Sequence, residues 1–271
     1  MRDIWFHFPE IDPVAIALGP LVIRWYALAY MAGLLAGWYV LRRMARQSSS
    51  PVTPLQIDQL LNAIIAGVII GGRLGYVLFY QPAAYWRDPL AILRIWEGGM
   101  AFHGGLIGVC VAVFWFARHH KIPLWQLADR VALVTPIGLF FGRIANFING
   151  ELYGRVTDLP IGMIFPTGGA LPRHPSQLYE AALEGVLLGV ILAVAYHLKL
   201  SQRRPGSLVA LFLIGYGIAR FMVEFVREPD AHIGTYQQLF IIPLSQGQLL
   251  SLPMIIGGAA MLIMMKGKQT S

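Results

Sequence analysis

Apolar residues in this chain fall into seven long runs, approximately Leu21 to Leu41, Gln59 to Phe79, Met100 to Ala117, Gln126 to Ile148, Leu178 to Leu198, Leu208 to Val226 and Gln248 to Met265. Each approaches the ~20 residues that a helix needs to cross about 30 Å of hydrocarbon. None shows the in-and-out alternation, about ten residues at a time, of a lipid-facing strand, so the pattern predicts helices and excludes a barrel. Between the runs, residues 81–99 place Tyr85, Trp86 and Trp96 beside a few charges and prolines, as a segment lying along a membrane interface would. Residues 149–177 and 227–247 are rich in Gly and Pro and read as ordered loops or small caps. Ahead of the first run, Ala15 to Ile23 is apolar about a central Gly19-Pro20 turn, which fits a hairpin or a re-entrant edge. The expected fold class is an all-α, polytopic integral membrane bundle of seven transmembrane helices. It is expected to be one domain over residues 1–271, with a small periplasmic cap built from the three loop segments.

Composition supports this layout. Of 271 residues, 56% are hydrophobic and 13% charged, against roughly 25% charged in an ordinary soluble domain. That little charge cannot coat a water-soluble globule, and disorder and a disulfide scaffold are excluded as well. The net charge of +7 would suit nucleic acid only if the basic residues shared one soluble face, and here most lie between apolar runs. Arg42, Arg43, Arg46, Arg118, Lys121, Lys199, Arg203, Arg204, Lys266 and Lys268 fall on one side, ten in all, against six on the other. Short cytoplasmic loops carry such an excess, which sets the amino terminus outside and the carboxyl terminus in the cytoplasm. The opening, Pro-rich and acidic, does not read as a cleavable secretory signal. Cys110, the single cysteine, allows no internal disulfide or zinc cluster and reads as a small buried hydrophobe. A weak likeness between Leu106–Val113 and Leu187–Val194 would favour a transporter if it marked a repeat, but apolar sequence readily produces it by coincidence.

Polar groups are costly in hydrocarbon, so each one there is a functional candidate unless it reaches an interface or a partner. With successive spans alternating in direction, Tyr26, Arg73, His103, Arg143, Asn146, Arg220 and Glu224 all fall in the outer leaflet, with Glu151 just beyond. The asymmetry predicts a polar cavity near the outer headgroups. Phe102-His103-Gly104-Gly105 offers an imidazole able to move a proton near neutral pH, or an ordinary hydrogen-bonded interfacial residue. Gly142 to Arg155 sets Arg143 and Asn146 on one helix face, with Glu151 close by. That is a guanidinium suited to phosphate, or half of an Arg143–Glu151 ion pair. Arg220 and Glu224 stand at i, i+4 and form either a salt bridge or catalytic groups. For Arg73, phosphate binding and a carboxylate partner fit equally. His174 to Glu180 reads as a helix entrance with Pro175 in its first turn. A transporter of anionic lipid or solute and a noncatalytic scaffold are the alternative function classes.

His103-Gly104-Gly105, the Gly142–Arg155 signature and the closing Arg220–Asp230 segment resemble the bacterial phosphatidylglycerol:prolipoprotein diacylglyceryl transferases, over the full length. The resemblance implies an enzyme of the inner membrane, facing the periplasmic leaflet, without metal or cofactor. Its substrates would be phosphatidylglycerol and the lipobox segment of a prolipoprotein. The diacylglyceryl group would pass to the lipobox cysteine thiol, forming a thioether and releasing glycerol 1-phosphate. By the same resemblance Arg143 binds the lipid phosphate and Tyr26, Asn146 and Gly154 are needed for activity, while His103, Glu151, Arg220 and Glu224 match functional positions. The chemistry then makes His103 the preferred base, Arg143 and Arg220 the cations facing the leaving phosphate, Glu224 the group that orients Arg220, and Glu151 the one that organises Arg143. Tyr26, Asn146, Glu151, Gly154 and Arg73 are counted with Arg143 among the phosphatidylglycerol-binding residues.

Overall fold

The computed structural model describes residues 6–9, 11–19, 21–48, 50–228 and 244–266. In chain order these form β1 (Phe6–His7), β2 (Val14–Leu18), β3 (Leu21–Arg24), α1 (Trp25–Met44), α2 (Pro54–Phe79), α3 (Pro82–Arg87), 3-10 turns at Pro89–Leu93 and Ile95–Glu97, α4 (Phe102–His119), α5 (Leu124–Ile148), β4 (Met163–Ile164), α6 (Ser176–Glu180), a π-helical stretch (Ala181–Leu187), α7 (Leu188–His197), α8 (Leu200–Arg203), α9 (Ser207–Val223) and α10 (Gln246–Lys266). Among the described residues five helices are long and apolar enough to cross a membrane: Pro54–Phe79, Phe102–His119, Leu124–Ile148, the continuous Ser176–His197 and Gln246–Met265. Apolar α9 has 17 residues. Helix α1 has 20, with Arg42 and Arg43 in its last turn, and lies outside those five.

The first apolar run does not begin as a helix. Residues Leu21–Arg24 pair antiparallel with Val14–Leu18, and Gly19 turns the chain at φ +60°, a region that suits glycine. The hairpin therefore takes the head of the run and displaces the helix start to Trp25. The loop expected over 227–247 lies mostly outside the described residues, as does the end of the Arg220–Asp230 segment.

The chain divides into two compact units, residues 38–128 and residues 1–37 with 129–271. In the unit of residues 38–128, α2 starts at a capping box. Thr53 accepts from the Gln56 amide, Gln56 accepts from the Thr53 amide, and Pro54 occupies the first turn. Helices α2 and α4 then meet along glycines. A Cβ at Gly75 would stand 2.7 Å from the Gly104 Cα, and one at Gly71 would stand 2.8 Å from the Gly108 Cα. Backbone thus packs on backbone, as small-residue stripes allow between helices in lipid. Because that stripe is the packing face of α4, Cys110 is turned away from it and is exposed, not buried as expected.

In the other unit, α7 and α9 pack through Leu188, Leu192, Ala195 and Leu208. Asp129, fully buried near the start of α5, accepts from the Ser201 hydroxyl and the amides of Gly206, Leu208 and Val209. It caps the otherwise unsatisfied amino-terminal N–H groups of α9 and so fixes α5 against α9. At the other end of α5, Phe8, Phe147 and Phe165 form an aromatic cluster of tilted and edge-on rings with centroids 5.4 to 6.3 Å apart. There β1 pairs in parallel with β4.

Candidate functional site

Three helical segments converge on one ionic cluster. Arg143 lies one and a half turns before the end of α5, Glu180 closes α6, Glu184 sits in the π-helical stretch, and Arg220 and Glu224 end α9. The Arg143 Nη1 is 3.1 Å from Glu180 Oε2, while its Nε and Nη2 donate to Glu184 Oε2 at 3.2 and 3.0 Å. Arg220 donates from Nη1 to Glu180 Oε1 at 2.8 Å, and its Nη2 lies 2.8 Å from Glu224 Oε2. The order is Glu184, Arg143, Glu180, Arg220, Glu224, with one carboxylate bridging two guanidiniums.

Local structure explains the convergence. Glu180 and Glu184 are i, i+4, and the wide π turn between Ala181 and Leu187 carries Glu184 toward Arg143; such turns recur at functional sites. Gly185 lets α5 come close, since a Cβ there would stand 2.7 Å from the Phe140 Cβ. At Gly247, near the start of α10, a Cβ would stand 2.6 Å from Glu224 Oε2, so glycine leaves room for that carboxylate.

Burial grades across the cluster. The carboxylate side chains are 0% exposed at Glu184, 1% at Glu180 and 7% at Glu224, whereas Arg143 keeps 17% and Arg220 14%. The cations form the accessible face and the acids lie behind. A guanidinium has five N–H donors; among the described residues hydrogen bonds engage two on Arg143, from Nε and Nη2, and one on Arg220, from Nη1, while Arg143 Nη1 and Arg220 Nη2 stand in ion-pair contact with Glu180 and Glu224. Both can take a further anion.

Beside the cluster, Asn146 donates to Glu151 Oε1 at 3.0 Å and Asn149 to the same oxygen at 3.2 Å. Glu151 therefore organises the turn after α5, and the carboxylates on Arg143 are Glu180 and Glu184, which corrects the expected Arg143–Glu151 pairing. The reason is geometric: the left-handed Gly150 at φ +63° folds Glu151 back over Asn146, whose carbonyl accepts the Glu151 amide. Tyr26 packs against Tyr30 with the rings tilted by 43° and the hydroxyls 3.2 Å apart. Gly154 donates to the His174 carbonyl, and a Cβ there would stand 2.7 Å from the His174 Cβ. His174 Nδ1 meets the Tyr179 hydroxyl at 3.2 Å, and burial holds its imidazole below the usual pKa.

Glu180 and Glu184, the acids that pair with Arg143 and Arg220, are members of the cluster that sequence reasoning misses, although a signal is present: two acids in one apolar run at helical spacing. The Arg220–Glu224 salt bridge forms as its spacing allows. His103, the second residue of α4, is exposed and meets Phe102 edge-on. Arg73 is 4% exposed and donates to backbone carbonyls of residues 91–99, and among the described residues no carboxylate pairs with it. Among the described residues no three His, Cys, Asp or Glu are grouped to hold a metal.

A family model described as prolipoprotein diacylglyceryl transferase matches residues 13–264. A Rhodospirillum rubrum protein named phosphatidylglycerol–prolipoprotein diacylglyceryl transferase is 51% identical over 258 residues, covering 94% of this chain and 93% of its own length. One of the same name from Pseudoalteromonas atlantica is 52% identical over 266 residues, 97% of this chain and 92% of its own.

Proposed function

The chain belongs to the prolipoprotein diacylglyceryl transferase family, and from that premise we propose that it moves the diacylglyceryl group of phosphatidylglycerol onto the lipobox cysteine of prolipoproteins. The observation that carries this reading is the pair of partly open guanidiniums, Arg143 and Arg220, bridged by the buried carboxylate of Glu180. Two cations held at a fixed spacing with donors to spare suit a phosphate, which takes bidentate charge-assisted bonds.

The reaction breaks the bond between the glycerol carbon and its phosphate oxygen and forms a carbon–sulfur thioether, releasing glycerol 1-phosphate. Negative charge grows on the departing phosphate, and Arg143 and Arg220 stabilise it there; a fixed donor of this kind is worth about 2.7–4 kcal/mol where measured. The nucleophile is the thiolate, so the thiol proton must leave. We assign that proton to His103, directly or through water, on the imidazole's chemistry and the family resemblance. Glu224 and Glu180 hold Arg220, Glu180 and Glu184 hold Arg143, and Tyr26, Asn146, Glu151 and Gly154 shape the surroundings. An apolar groove of about 220 Å³, lined by Pro136, Ile137, Phe140, Gly185, Val186 and Gly189, begins beside Glu184 and one turn from Arg143. It suits an acyl chain.

In the membrane, α1 and α9 join the five long helices to give seven crossings of the inner membrane, amino terminus outside and carboxyl terminus in the cytoplasm. The site then opens toward the periplasmic leaflet, where precursor and lipid meet, and the whole chain acts as one catalytic domain. The test is purified protein with phosphatidylglycerol and a lipobox peptide, read by the peptide's mass. A gain of one diacylglyceryl group, absent when the cysteine is replaced by serine, is expected. An unchanged mass with an intact lipid pool overturns the assignment.

A further inference from the structure

Arg73 is a candidate lipid ligand by sequence, yet its guanidinium has no donor left for one. Nε donates to the Ile92 carbonyl at 2.9 Å, Nη1 to those of Gly98 and Gly99, and Nη2 to those of Ala91 and Arg94 at 2.5 and 3.2 Å. Five N–H groups meet five carbonyl oxygens. The Tyr85 ring covers the cation at 5.1 Å. Among the described residues no carboxylate takes part, so the charge is balanced by the carbonyl ends of the two 3-10 turns, which are the negative ends of helical dipoles.

Those carbonyls belong to the stretch that delivers the chain into α4. Gly98 and Gly99 both have positive φ, +87° and +80°, and reverse the chain after the second 3-10 turn. At Gly99 a Cβ would stand 2.8 Å from the Arg73 Nη1 and 2.7 Å from the Tyr76 ring, so only glycine admits the contact. Two residues later the Ala101 amide donates to the Gly72 carbonyl at 2.9 Å, and α4 begins at Phe102 with His103 next. Gly104 already lies against the α2 backbone at Gly75. Arg73 therefore grips the chain four to five residues before His103, and the glycine contact grips it one residue after.

We propose that Arg73 is a positioning residue that binds no lipid phosphate and instead sets the place of His103, through the carbonyls of Gly98 and Gly99. This rests on His103 being the base assigned above. A lysine at 73 keeps the charge but can satisfy at most three of the five carbonyls, and a displacement of about 1 Å at a reacting group can cost on the order of 100-fold in rate.

The experiment measures kcat, KM for phosphatidylglycerol and the pH profile for the wild type, Arg73→Lys, His103→Gln and the double variant, with helix content by circular dichroism as the folding check. Arg73→Lys is expected to lower kcat by about 10- to 100-fold with KM within about twofold, to alter the pH profile, and to cost nothing further in the His103→Gln background. Should Arg73→Lys not fold, Gly99→Ala strains the same contact without touching charge and is expected to give the same pattern. A raised KM with kcat retained would return Arg73 to the lipid and overturn the proposal, as would losses that multiply in the double variant. A normal rate and pH profile for His103→Gln alone fails the base assignment and the positioning role with it. An impaired His103→Gln with multiplying losses fails the positioning role only.

Discussion

Arg143, the proposed phosphate ligand, is also a structural residue. It stands between Glu180 and Glu184, both essentially without solvent, and breaking a buried pair by deleting one partner typically costs about 3–5 kcal/mol because the other charge is left uncompensated. Arg143→Ala is therefore expected to lower stability as well as transfer, and lost turnover in that variant would not isolate the phosphate contact. Arg143→Lys leaves a cation between the two acids but lacks the planar fork that reaches both while presenting donors outward. Its expected signature is a thermal midpoint in detergent close to that of the wild type, with transfer reduced on the order of 100-fold. Turnover near normal in the lysine variant would show that charge alone, not the fork, suffices at this position.

Element geometry decides which of these groups meet. The seven apolar runs and the salt bridge at Arg220–Glu224 were legible because period and spacing are local properties of a sequence. The partner of Arg143 was not, because the choice among Glu151, Glu180 and Glu184 depends on a π turn at Ala181–Leu187 and a left-handed Gly150, neither of which leaves a hydrophobic signature. The surroundings of Arg73 are not legible for a related reason: its partners are backbone carbonyls, which every residue has. The same elements carry two predictions. His174, just before α6, has its pKa held by burial below the ordinary histidine value of about 6.5. The unfolded chain then binds the proton first, so this residue's contribution is fully present above about pH 6.5 and is lost as pH falls through the lower folded value. Thermal unfolding from pH 8 to pH 5 should show a destabilisation on acidification that His174→Gln diminishes; an identical slope in the variant would remove this source. In the groove along α5 and α7, Gly189 has room for a side chain, since a Cβ added there would stand 3.5 Å from the Pro136 Cβ. Gly189→Leu should displace about two methylenes of a long acyl chain, at ~0.8 kcal/mol each. That lowers kcat/KM for long-chain phosphatidylglycerol by roughly tenfold while sparing a short-chain analogue. Equal losses on both lipids would take the acyl chain out of the groove.

At the scale of the whole molecule the issue is which way the chain faces. Within the unit of residues 1–37 and 129–271, the ionic cluster gathers the carboxyl end of α5, the first turns of the continuous Ser176–His197 helix and the carboxyl end of α9, so successive helices of alternating direction bring it to one end. That end adjoins the loop of residues 149–175, whereas the basic stretch Lys199, Arg203 and Arg204 belongs to the turn at the other end of α7 and α9. Lys and Arg favour the cytoplasmic side in short loops, and in the proposed orientation the cluster faces outward. With Cys110 replaced by serine, single cysteines introduced at exposed Ser48 and Gln202 should resist an impermeant maleimide added to intact cells and react after lysis. One at exposed Asp158 should react at once. The reverse pattern would open the cluster to the cytoplasm, ahead of export, and a precursor thiol already carried across the membrane could not reach it.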